Sequence, residues 1–143
     1  MKRRVGRIGD ETSAMGMGCW AIGGIWTFLD MPAGWGETDD EESLAAIRAA
    51  YDHGIRVFDT AANYGTGHSD KLLGKGLGAD RSNCIISSKF GYLVDAQAKQ
   101  VRNRSDDGRT MPVAPFVAEE CEASLRRLGT DYIDIYFFHV NEY

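Results

Sequence analysis

The chain reads as an α/β protein: a (β/α) parallel sheet of about four strand-helix units, preceded by a short N-terminal hairpin, in a single domain spanning 1–143. Short runs rich in β-branched and aromatic residues alternate with stretches of helical periodicity. Strands separated by helices pair in parallel through right-handed crossovers. With 43% apolar and 26% charged residues, a chain of this length buries about 70% of the surface its unfolded form exposes. That suffices for a core without disulfides or metals and is incompatible with disorder as the main state.

The segment from Arg3 to Ser13 contains the turn pair Gly9-Asp10 and predicts the hairpin. Met15 to Trp20 is the first strand, weakened by its glycines. Thr38-Asp39-Asp40-Glu41 has the spacing of a capping box, with Thr38 bonding forward to the Glu41 N–H, and opens a helix over 39–53. Leu44, Ile47 and Tyr51 share one face of it. Its acidic first turn meets the positive helix end, Arg48 and His53 lie toward the negative one, and Gly54 supplies a left-handed stop.

Ile55 to Asp59 is the second strand, Thr60 to Gly67 a loop of small residues, 69–77 a short helix, and Cys84 to Lys89 the third strand. Gly91 to Pro112 is long, polar and mixed in charge, which predicts a mobile loop or lid. Pro115 pre-sets the last helix, in which Val117, Cys121, Leu125 and Leu128 recur at helical spacing until Gly129 ends it. Tyr132 to His139 is the fourth strand.

Sixteen Lys and Arg against 21 Asp and Glu leave a net charge of −5. Phosphate backbones and anionic lipid are met by clustered basic surfaces, so neither nucleic acid nor a membrane is expected as a partner. Met1-Lys2-Arg3-Arg4 is not followed by an apolar stretch, so no signal peptide is expected, and no run approaches the roughly 20 apolar residues of a bilayer span. Cys19, Cys84 and Cys121 are far apart and odd in number; they read as reduced thiols of a cytoplasmic protein.

Three successive strands end on Asp59, Lys89 and His139. In a parallel α/β sheet the carboxyl ends share one edge, where such folds place their sites, and Tyr64 joins that edge from the loop after the second strand. A phenol with an ordinary pKa of about 10 is a poor acid near neutrality unless a cation stabilises its phenolate. Lys89 is that cation, Asp59 its counter-charge, and His139 suits hydrogen bonding to a carbonyl oxygen that Tyr64 protonates.

These residues carry a resemblance. Asp59-Thr60-Ala61-Ala62-Asn63-Tyr64-Gly65 resembles the Asp-x-x-x-x-Tyr-Gly signature of the aldo-keto reductases. Ser88-Lys89, Asp131 to His139, and the opening Gly16-Met17-Gly18-Cys19-Trp20-Ala21-Ile22-Gly23-Gly24 are similar to segments of the same family, in the same order over nearly the whole chain. The resemblance implies a TIM-barrel type fold, (β/α)8 when complete, that reduces aldehydes or ketones, small-molecule carbonyl substrates, with NADPH. It implies Asp59, Tyr64, Lys89 and His139 as the catalytic tetrad. It also implies that the backbone around Cys19 and Trp20 and the Asp59 side chain lie against the nicotinamide-ribose end of the cofactor.

A (β/α)8 barrel takes roughly 250 residues or more, whereas this sequence ends four residues after His139, at Tyr143. The chain therefore corresponds to the N-terminal half of the barrel. The family takes the nicotinamide ring, the pyrophosphate and the 2′-phosphate mainly through loops after its later strands. Four parallel strands alone leave open edges and an uncovered inner face, which invites a homo-oligomer. Two readings follow: a reductase, or a non-catalytic or truncated half-barrel module that oligomerises and lacks most of the cofactor site.

Trp20, Trp26 and Trp35 suit either a substrate mouth or local packing. His68 reads as a helix-start residue, His53 as a helix-end residue, and Gly74-Lys75-Gly76-Leu77-Gly78 lacks the spacing of a phosphate loop. No metal is expected, because the first strand offers Gly, Met and Cys where several His or carboxylate ligands would be needed.

Overall fold

In the computed structural model the described residues are 2–5, 8–103 and 114–139. Strands β1 (Lys2–Val5) and β2 (Ile8–Ser13) form the antiparallel N-terminal hairpin, with Val5 opposite Ile8. Gly9 and Asp10, expected at the turn, lie inside β2, whose first residue Ile8 pairs with Val5.

The main sheet has four parallel strands in the order β10-β7-β6-β3, comprising β3 (Gly16–Gly18), β6 (Val57–Asp59), β7 (Ile85–Phe90) and β10 (Ile135–Phe138). Helices α1 (Asp40–Asp52), α2 (His68–Leu77) and α3 (Ala114–Leu128) connect them in turn. This is the predicted strand-helix alternation. Register places Phe58 beside Ile86 and Asp59 beside Ser87. Phe58 and Ile86, both 0% exposed, therefore point to the helices and meet Ile47, Leu73 and Leu128 in the core. Because side chains alternate along a strand, Asp59 and Lys89 fall on the other face.

The cap of α1 is one residue later than predicted. Asp39, extended at φ −92° and ψ 128°, accepts from the Glu42 N–H at 2.9 Å. Aspartate caps as well as threonine, and Asp39 to Glu42 has the same three-residue spacing. Gly54 takes a positive φ of 91° after the helix, as its lack of a Cβ permits. The glycines of α2 serve packing. A Cβ on Gly74 would run into the Leu128 carbonyl, and one on Gly76 would lie 2.8 Å from Ile47 Cγ2.

The stretch expected to be a mobile loop contains two strands, β8 (Tyr92–Asp95) and β9 (Gln100–Asn103); its remainder, 104–112, lies outside the described residues. Asp95 Oδ1 accepts from the N–H groups of Gln97 and Ala98 and so shapes the turn. β9 then pairs in parallel with β4 (Thr27–Phe28), itself paired with β5 (Met31–Pro32), in a second sheet of order β5-β4-β9-β8. Segments following β3 and β7 thus build a small sheet on the side of the main sheet where the strands end. Val101, 0% exposed, anchors it.

Candidate active site

Asp59 closes β6, Lys89 is the penultimate residue of β7, and His139 follows β10, its N–H donating to the Phe90 carbonyl at 2.8 Å. Tyr64 opens the 3-10 turn Tyr64–Gly67 after β6. That turn runs through left-handed backbone at Gly65 (φ 58°), Thr66 (φ 53°) and Gly67 (φ 91°). A Cβ on Gly65 would collide with the Gly23 carbonyl, so two glycines let the loops after β3 and β6 touch and place Trp20 against Tyr64.

The four predicted residues come together. The Lys89 ammonium donates to Asp59 Oδ2 at 2.6 Å, to the Thr60 carbonyl at 2.9 Å and to Tyr64 Oη at 3.2 Å. Its three N–H groups thus have three acceptors. Since Tyr64 Oη accepts from the ammonium, its own proton remains available to a further acceptor. The Lys89 side chain is 14% exposed and that of Asp59 44%. The carboxylate edge is therefore open while the cation is shielded.

The His139 ring centroid lies 5.8 Å from that of Tyr64 and 5.5 Å from that of Tyr92, both edge-on. Burial first, and then the Lys89 charge, hold His139 below the usual imidazole range, with Asp59 opposing; the ring is neutral at pH 7. Its Nδ1 lies 3.1 Å from Asn63 Oδ1.

Aromatic rings continue on both sides. Trp20 stacks on Tyr64 at 6.0 Å and 18°, anchors Nε1 on the Ala33 carbonyl at 3.2 Å, and meets Trp35 edge-on at 5.9 Å. Phe28 meets Tyr92 at 5.4 Å. Trp20 and Trp35 are 45% and 72% exposed beside Tyr64, whereas Trp26, 4% exposed, belongs to the packing.

Cys19 is fully buried, its thiol pushed up to about 12 by burial and then by Asp59. Its N–H donates to the Asp59 carbonyl and its carbonyl accepts from Ser69 Oγ. Both of its main-chain polar groups are engaged within the protein. His68 starts α2 and pairs with Asp40 at 2.7 Å, and His53 bonds the Ala49 carbonyl. Asn63, Tyr92 and Phe28 border the site without having been singled out in the sequence. The short apolar run Tyr92-Leu93-Val94, aromatic and β-branched at its ends, was the available strand signal for Tyr92.

The fold and the site together define a class: a partial α/β barrel with a tyrosine, a lysine, an aspartate and a histidine at the carboxyl edge of its strands. The model of the aldo/keto reductase family matches residues 14–143, and the chain belongs to that family. It is 38% identical over 133 residues to the aldo-keto reductase YhdN of Bacillus subtilis, a match covering 92% of this chain and 35% of YhdN. The solved aldo-keto reductase AKR11C1 from Bacillus halodurans (holo form) superposes with a TM-score of 0.72 at 27% identity, over 94% of this chain and 38% of that one. An aldo-keto reductase from Klebsiella pneumoniae in complex with NADPH gives a TM-score of 0.64 at 26% identity, over 93% of this chain and 37% of that one. The chain thus spans little more than a third of the length of these relatives.

Proposed function

We propose that this chain carries the proton-transfer site of an NADPH-dependent reductase of aldehydes and ketones, with Tyr64 as general acid. The observation that carries the reading is the single ammonium of Lys89 within hydrogen-bonding distance of both Tyr64 Oη and Asp59. A nicotinamide cofactor, when bound, supplies the hydride that reaches the carbonyl carbon. Tyr64 Oη gives its proton to the carbonyl oxygen as the C=O bond becomes C–OH, and the phenolate left behind faces the ammonium. At 3.2 Å and an effective dielectric of about 20 this attraction is about 5 kcal/mol before Asp59 offsets part of it. Solvent then restores the proton. His139, neutral, orients the substrate beside Tyr64.

The residues fit the nicotinamide-ribose end of the cofactor. The open carboxylate of Asp59 suits a ribose hydroxyl, and the exposed ring of Trp20 offers an apolar surface. Cys19 adds shape alone, since its polar groups are spent. The NADPH-bound relative supports this choice of cofactor. Titration of the purified chain with NADPH, followed by fluorescence, tests the reading. Saturable binding is expected; a folded sample that binds nothing at millimolar cofactor would overturn it.

A second reading concerns assembly. β10 is an edge strand, and Phe137 and Phe138 on it are 52% and 45% exposed. We propose that the chain, acting in the cytoplasm, covers this edge as a homo-oligomer, whether it turns over substrate or persists as a non-catalytic module.

A further inference from the structure

Thr60 follows β6 directly and is fully buried. Its N–H donates to the Ser87 carbonyl of β7 at 2.8 Å, and its own carbonyl is one of the three acceptors of the Lys89 ammonium, at 2.9 Å. Its side chain reaches α2, where Oγ1 donates to Asp70 Oδ1 at 2.8 Å. Ser69 Oγ lies 3.1 Å from the same hydroxyl but places its single proton on the Cys19 carbonyl at 2.7 Å, so the Thr60 proton is left to Asp70. Asp70, itself 0% exposed, is anchored at its other oxygen by Arg127 Nε of α3 at 3.0 Å. The same ion pair meets the site a second time. A Cβ on Gly67 would collide with Arg127 Cδ, so the turn that carries Tyr64 rests directly on the Arg127 stem. One buried pair therefore supports both the acceptor behind Lys89 and the turn beneath Tyr64.

An ammonium is a compact charge with three rotatable donors. Its protons point to the corners of a tetrahedron, so fixing one on the Thr60 carbonyl directs the other two toward Asp59 and Tyr64. Without that third acceptor the group can turn about its Cε–Nζ bond and settle on the carboxylate alone, which carries the charge. We propose that Thr60 is a positioning residue: its hydroxyl, latched to the buried Asp70, holds its carbonyl against Lys89 and so keeps one ammonium proton on Tyr64. Thr60 acts through Lys89. The bearing on catalysis rests on the proposed reductase reading; the latch does not.

Thr60→Val keeps the branched shape and removes the hydroxyl, whereas Thr60→Ser keeps the hydroxyl. In NMR spectra of the 15N-labelled chain the Lys89 ammonium, assigned by its loss in Lys89→Met, is expected to exchange with water and to reorient more slowly than the ammonium groups of the exposed Lys71 and Lys75. Thr60→Val is expected to broaden that signal and speed its reorientation, and Thr60→Ser to leave it as in the native chain. An unchanged Lys89 signal in a folded Thr60→Val chain overturns the proposal. So does a native Lys89 ammonium that exchanges and turns as freely as those of Lys71 and Lys75, and this comparison decides should Thr60→Val fail to fold. With NADPH and an aldehyde, Thr60→Val is expected to lower kcat by about 10–100-fold, to leave KM unchanged, and to raise the solvent deuterium isotope effect on kcat as the proton step slows; Thr60→Ser restores most of the rate. A lower kcat with an unchanged isotope effect, as a smaller folded fraction would give, overturns the positioning role. A chain that binds no cofactor defeats the reductase reading instead and leaves the ammonium spectra to decide the latch.

Discussion

Lys89 organises the site because its three protons find three acceptors on two neighbouring segments, Asp59 and Thr60 at the end of β6 and Tyr64 beyond it. Replacing it by methionine keeps the length of the stem and removes the charge. Asp59, already 44% exposed, is left in contact with water and not stranded in the interior. Lys89→Met is therefore expected to leave urea unfolding nearly unchanged and to lower kcat for an aldehyde by about 100-fold or more; steady-state kinetics beside an unfolding curve checks both. Asp59, Lys89 and His139 were legible in the sequence because the ends of parallel strands share one edge whatever the side chains do. Asn63 was not, since its partner lies 76 residues away and nothing local marks it. The engaged main chain of Cys19 was equally invisible, as it depends on Ser69 arriving from α2.

The helices and parallel strands follow from local sequence to within a few residues, while the small second sheet does not. β9 is recruited by β4 from more than 70 residues away, with Phe28 opposite Val101. A polar composition over 91–112 therefore said little about its fate. Composition likewise hid a buried ion pair between helices. Asp70 on α2 is fully buried, accepts from Thr60 Oγ1 at 2.8 Å, and pairs with Arg127 Nε of α3 at 3.0 Å. Arg127 is braced in turn by Ser124 Oγ at 2.8 Å. Burial pushes the Asp70 carboxyl above its ordinary range, while Arg127 and Thr60 pull it back. Arg127→Met removes the larger restraint and strands a buried carboxylate, so a loss of about 3–5 kcal/mol is expected. The folded state of this variant holds a proton that the unfolded chain releases above about pH 4. Unfolding free energy then falls as pH rises through that window, and the deficit is larger at pH 8 than at pH 5. Urea unfolding of both proteins at the two pH values checks magnitude and sign. The same tie reaches the site, because Thr60 also offers its carbonyl to Lys89.

Phe137 and Phe138 lie exposed on the edge strand β10 of the main sheet, and an open apolar edge favours association. Light scattering on the purified chain is expected to give a dimer or larger species that dissociates when Phe137 and Phe138 are both replaced by lysine; a monomer at micromolar concentration would contradict it. At this level the parallel pairing and the open edge were legible in the sequence, but not how the second sheet brings Tyr92 against His139, which depends on pairing between distant segments. The proposed chemistry rests on one phenol, Tyr64, within hydrogen-bonding distance of one ammonium, Lys89. The most direct test is the rate of NADPH oxidation with a simple aromatic aldehyde, measured on the chain and on its Tyr64→Phe variant. Turnover that falls by about 10²–10⁴-fold in the variant is expected. Equal rates in the two proteins, or a folded chain that binds NADPH and turns over nothing, would contradict Tyr64 as the acid.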